Sequence, residues 1–284
     1  MNRKVKTLFW TFLIFMISII PLSYSETQIT SSQPKAVSPR EIQRIQLSDG
    51  LYLRQIGEGV FVITHEFPWS ANAVLVEMTD GSLVIAGSTY TPEAAQFLLQ
   101  WAENYFGRRS LIAIDTGYHI DNLGGNKAFL DAGIPVYGSD LTAKLLQERG
   151  ESTRQVMLSM LNNVQSIYYK TQATQIFYPP DHLFPVSKGL TLTFHKEKVK
   201  VFYPGPTQAP DKVAVYFPSR KLLLGSCMIL GGGLGNVAEA DIRQWVKAIR
   251  KLFRFPVDVV IPGHGASLDP ALIQHTLDVL LKAS

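Results

Sequence analysis

Residues 111–125 read LIAI-DTGYHIDNLGG. A short apolar run enters a loop that carries His119 and Asp121, and a helical pattern resumes near Leu123. That order, strand then polar loop then helix, puts side chains with lone pairs at the end of a buried strand, where sites are commonly built. Gly117 stands two residues before the histidine and offers no donor at all.

Two other places share this design. Leu222–Leu224 runs into Gly225-Ser226-Cys227, and Val259–Ile261 runs into Pro262-Gly263-His264-Gly265. Strand ends far apart in sequence converge when their strands share a sheet edge. Asp121, Cys227 and His264 are all competent zinc ligands, and three protein ligands with an open position describe a catalytic zinc site. Each has an ordinary reading when taken alone. A lone histidine is usually a satisfied polar group, a lone cysteine a small buried hydrophobe, and PGHG a turn. His65, His182, His195 and His275 lack the strand-end context and are not assigned to metal.

Around these motifs lie short strand-like runs: LYLRQIG, VFVITHE, NAVLVEM and SLVIAG, then LIAID and IPVYGS, later LTLTF, VKVFYP, VAVYFP, KLLLGS and VDVVIPG. Gly, Asp and Pro punctuate them. Helical spacing covers 91–106, a stretch from about 123, 140–165, about 239–253 and a final segment ending near Lys282. Strands lead and helices follow in each half. That order fits two mixed sheets face to face with helices on the outer faces, an αββα sandwich in one domain over 46–284.

The first 25 residues have a basic start (Arg3, Lys4, Lys6), an apolar stretch from Leu8 to Ile20, then Pro21 and small residues. This reads as a secretory signal peptide, with an uncleaved anchor as the rival, and places the mature protein in the periplasm. Residues 26–45 read as a polar leader. Without the signal, 24 basic residues face 23 acidic ones. No basic run with interleaved aromatics follows, so nucleic acid is not expected as a partner. Cys227 is the only cysteine, which excludes an internal disulfide. A monomer acting on a small molecule, with no lasting membrane contact, is expected.

The stretches VEMTDGSLVIAGSTYTPEAAQFLLQW, DTGYHIDNLGGNKAFLDAGIPVYGSDLT, VFYPGPTQAPDKVAVYFPSRKLLLGSCMI, GLGNV and VIPGHG together resemble class B metallo-β-lactamases, closest to the first subclass, from about Gly50 onward. The resemblance implies the αββα fold, hydrolysis of β-lactam antibiotics, and zinc on Asp121, Cys227 and His264. The family's second, three-histidine metal position falls on Gly117, His119 and Gln208, so two of its ligands are absent and one zinc is expected. The acidic residue that supports that position in the family is also missing, near Gly87. One zinc implies a bias toward carbapenems. His119, Asp121 and Asn236 become the candidate catalytic residues, the first two poising a water and Asn236 polarising a carbonyl. Leu230 stands where the family grips the substrate carboxylate with a lysine. Lys212 is a candidate substitute, otherwise a solvated surface residue. HEFPWSANA reads as a hairpin flap with Phe67 and Trp69 as substrate contacts. A zinc hydrolase of another cyclic amide or ester, and a zinc-binding relative without catalysis, remain the competing readings.

Overall fold

The computed structural model describes residues 44–284. The expected signal peptide and most of the leader lie outside the described residues. The leader's last two positions, Arg44 and Ile45, instead open a strand, β1 (Arg44–Ser48), which pairs antiparallel with β2 (Leu51–Gly57).

β1 and β2 continue into β3 (Val60–Glu66), β4 (Ser70–Glu77), β5 (Leu83–Ala86), β6 (Leu111–Ile114), β7 (Val136–Ser139) and β8 (His182–Phe184), an eight-stranded sheet in sequence order. It is antiparallel as far as β5 and parallel from β5 to β8. The second sheet orders β13 (Val259–Pro262), β12 (Leu222–Ser226), β11 (Ala214–Phe217), β10 (Glu197–Phe202) and β9 (Leu190–Phe194). Its β12–β13 pair is parallel. The αββα expectation holds.

The sandwich explains why β3 and β4 are buried at nearly every position. Val60, Val62, Val74 and Val76 pack against Val199, Val201, Val215 and Leu224 of the other sheet. Their neighbours Phe61, Ile63 and Leu75 point the opposite way, onto α1 (Pro92–Phe106) and α3 (Asn126–Asp131). On the far side of the second sheet, Tyr216, Leu223 and Val260 meet Trp245 and Ile249 of α6 (Ile242–Leu252) and Ile273 and Leu277 of α7 (Leu272–Ala283). Each such side chain contributes roughly 1.5–3 kcal/mol by leaving water. α1 starts where Thr91 accepts from the Ala94 N–H and Pro92 supplies a pre-set first turn.

Three elements escape the sequence patterns. The helix expected from about 123 is two short ones, α2 (Ile120–Leu123) and α3, separated by Gly124 and Gly125. A further helix, α5 (Ile167–Thr174), follows α4 (Asp140–Leu161), and β8 is a three-residue edge strand. No helix among the described residues is long and apolar enough to cross a membrane.

Candidate metal centre and its cavity

β6, β12 and β13 deliver Asp121, Cys227 and His264 to one place. Cys227 Sγ lies 2.9 Å from Asp121 Oδ2 and 3.7 Å from His264 Nε2, and the latter two atoms are 3.5 Å apart. Ligands on one tetrahedral zinc, at about 2.0–2.3 Å from the ion, sit roughly 3.3–3.6 Å from one another. The two edges to His264, 3.5 and 3.7 Å, come close to that spacing and the Asp121–Cys227 edge is tighter, and carboxylate, thiolate and imidazole suit zinc.

The neighbouring residues aim these three groups. His264 Nδ1 lies 2.6 Å from the Ser70 carbonyl oxygen, which only accepts, so the proton sits on Nδ1 and Nε2 faces the cluster. Asn122 Nδ2 donates to Asp121 Oδ1 at 2.6 Å, while its Oδ1 accepts from Thr116 Oγ1 at 2.6 Å and from Ser226 Oγ at 2.5 Å. Ser226 adopts φ +48° where the β12–β13 register slips, and this turn presents Cys227. Burial pushes the Asp121 carboxyl up, but Lys212, His264, His119 and the Cys227 thiol together hold it down at about 2. Burial also opposes a charged His264. Cys227 and Asp121 outweigh it and raise the imidazole to about 10.

His119 is turned to a partner that sequence reasoning missed. Its Nε2 lies 2.8 Å from Glu239 Oε2, the Tyr118 hydroxyl donates to the same carboxylate, and Arg149 approaches it at 3.6 Å. The His119 hydrogen bond, against the cost of burial and with help from Tyr118, lowers the Glu239 carboxyl to about 2. The helix expected from about 239 begins at Ile242, which leaves Glu239 in a turn before it, and nothing local marks it as a site residue.

A cavity of about 830 Å³ opens over the three ligand atoms. α4 contributes Val156, Met157 and Met160, and the loop after β12 contributes Ile229, Leu230 and Leu234. Tyr90, Trp69, Gln208, Asn236 and Glu239 also line it, and among the described residues no lysine or arginine does. Trp69 is 40% exposed at the tip of the β3–β4 hairpin.

The structure corrects two expected contacts. Phe67 turns away from the cavity and packs on His65, Tyr90 and Tyr168. Lys212 is neither a surface residue nor a cavity contact, because its side chain is fully buried against Gly117. Asn236 Oδ1 caps the Ala238 N–H at 3.0 Å, and its carbonyl accepts from Gln208 Nε2 at 3.1 Å, so its amide oxygen serves a turn. Leu230 is buried, with its N–H bonded to Thr276 Oγ1. His65, left without a role, is buried and accepts the Tyr90 N–H on Nδ1 at 3.0 Å, fixing a residue that lines the cavity.

Residues 67–264 match the family model described as the metallo-beta-lactamase superfamily. A metallo-beta-lactamase type 2 from Bacillus cereus is 26% identical over 273 residues, covering 93% of this chain and 95% of its own. One of the same name from Pseudomonas aeruginosa is 28% identical over 239 residues, covering 82% and 85%. Among solved structures, a metallo-beta-lactamase from Pontibacter korlensis superposes with a TM-score of 0.66 at 28% identity, covering 81% of this chain and 99% of its own. The αββα layers, the strand-end cluster and these matches agree: the chain belongs to the metallo-beta-lactamase superfamily.

Proposed function

We propose that this protein is a zinc hydrolase that opens the β-lactam ring of a small-molecule substrate after export to the periplasm, holding one zinc on Asp121, Cys227 and His264. The observation that carries this reading is the triangle of ligand atoms, with edges of 2.9, 3.5 and 3.7 Å, at the floor of the cavity. Zinc there would supply a Lewis acid to polarise the amide.

The chain's own residues do the rest. Glu239 stays ionised and can only accept, so it takes the His119 Nε2–H and leaves Nδ1 as the nitrogen able to receive a proton. A carboxylate that fixes the tautomer of an imidazole in this way prepares a general base. Tyr118 and Arg149 hold Glu239 in place. Trp69 and the Val156–Met160 face of α4 exclude water from an apolar ligand.

One observation favours a second substrate class. Among the described residues the cavity presents no lysine or arginine, and Leu230, at the position where the family resemblance puts a carboxylate-gripping lysine, is apolar. Such a wall suits a neutral cyclic amide or ester better than an anionic β-lactam, whose carboxylate would rely on the metal alone. A hydrolysis panel decides between them: a carbapenem, a penicillin, a cephalosporin and uncharged lactones, each with and without chelator. Chelator-sensitive opening of β-lactams is expected. Zinc-loaded protein that opens only the neutral rings supports the second class, and one that opens nothing removes the enzymatic reading.

A further inference from the structure

Lys212 lies in the loop between β10 and β11, which is tied to the 115–119 loop. The Val213 N–H donates to Thr116 O at 3.1 Å, and the Tyr118 N–H donates to Asp211 Oδ2 at 2.8 Å. The Lys212 side chain is fully buried, and among the described residues its Nζ has no hydrogen-bond partner. It lies against Gly117, where a Cβ would come within 2.7 Å of Cδ and 2.8 Å of Nζ. Gln208 Oε1, from the same loop, is also buried and unpartnered. A cation withdrawn from water without a bonded anion is costly, and chains keep one inside only when its charge serves something nearby. Room for it exists because position 117 has no side chain.

We propose that Lys212 is a resident cation of this site: lodged against Gly117, its ammonium takes the room and the charge of a second divalent ion and holds the chain to one metal. This rests on the zinc reading above. The local electrostatics support it. A second divalent ion in the same space would meet a fixed positive charge at short range in a poorly screened interior. It would also find a thin donor set, because Gly117 has none and only the His119 Nδ1 lone pair and the Gln208 amide oxygen remain.

Two experiments on the full chain test the proposal. The first follows thermal unfolding of Gly117→Ala, Lys212→Ala and the double variant in the presence of chelator. A methyl at 117 meets the buried end of the lysine side chain, so Gly117→Ala should lower Tm more when Lys212 is present than when it is replaced. Strictly additive shifts overturn the contact and the proposal with it. The second counts zinc per chain by elemental analysis after dialysis against excess zinc. Wild type and Gly117→His/Gln208→His should hold close to one. Gly117→His/Gln208→His/Lys212→Asn should hold close to two. Two zinc ions in the variant that keeps Lys212, or one in a folded variant that lacks it, overturn the proposal. Wild type that takes up no zinc overturns the zinc reading itself, an outcome distinct from the first experiment, which needs no metal.

Discussion

Replacing Gly263 with alanine should damage zinc binding without touching a ligand atom. Gly263 precedes His264 and sits directly on the turn that carries Cys227. Its N–H donates to Ser226 O at 2.7 Å, and its carbonyl accepts from the Asn72 N–H at 2.9 Å. A Cβ there would lie 2.6 Å from Cys227 N, 2.7 Å from Cys227 Cα and 2.7 Å from Ser226 C. All three are backbone atoms, so no side chain can rotate aside. Comfortable contact begins at about 3.5 Å, so the ends of β12 and β13 would have to part by roughly 0.8–0.9 Å. A zinc site tolerates ligand displacements of about 0.2 Å. Overpacking of this kind costs roughly 1–3 kcal/mol, or a fall in Tm of roughly 2–12 °C for a domain of this size. Zinc affinity should drop by about tenfold to a hundredfold, the loss usual when groups that orient the ligands are disturbed. Competition with a chromophoric chelator measures the affinity, and a thermal melt measures the stability. A Gly263→Ala protein with wild-type zinc affinity would refute the claim that this backbone contact sets the Cys227–His264 spacing.

Cys227→Ala should abolish the rise in Tm that reports zinc's stabilisation of the fold, a stabilisation of about 2.7 kcal/mol at a hundredfold excess over Kd. His119→Ala should keep that rise while turnover falls by roughly a hundredfold to ten-thousandfold; loss of zinc protection in His119→Ala would place the imidazole among the ligands instead. Glu239→Gln should retain zinc and lower kcat by about tenfold or more, with a displaced pH–rate profile, because the amide no longer fixes the His119 tautomer; an unchanged profile would remove Glu239 from the mechanism. Burial holds the His65 imidazole down to about 4 from an ordinary 6.5. The folded state therefore resists protonation that the unfolded chain accepts, and roughly 3 kcal/mol of stability present above pH 6.5 is lost as pH falls toward 4. Urea midpoints across that range should slope in wild type and flatten in His65→Asn; parallel slopes would show that another group titrates.

The layers of this fold were legible because β3, β4 and β12 lie between two packed faces and so carry unbroken apolar runs. The three strand-end motifs were legible because ligand chemistry needs particular residue types just after such runs. What stayed hidden was set by distant partners. Glu239 reads as an ordinary acid at the start of a helix until His119 and Tyr118 are placed beside it. Phe67 sits in a hairpin tip, yet Tyr168 of α5, an element without a clear pattern, draws it away from the cavity. Lys212 follows a proline and an aspartate, a composition that suggests a solvated turn, and nothing local foretells its burial. The reason lies 95 positions earlier, where Gly117, with no side chain, leaves room for Lys212 Cδ, Cε and Nζ. A glycine that looks like a lost ligand and a lysine that looks like surface are therefore one feature. Neither can be interpreted alone, because an interior charge is tolerable only where something else has made room for it and gains from its field.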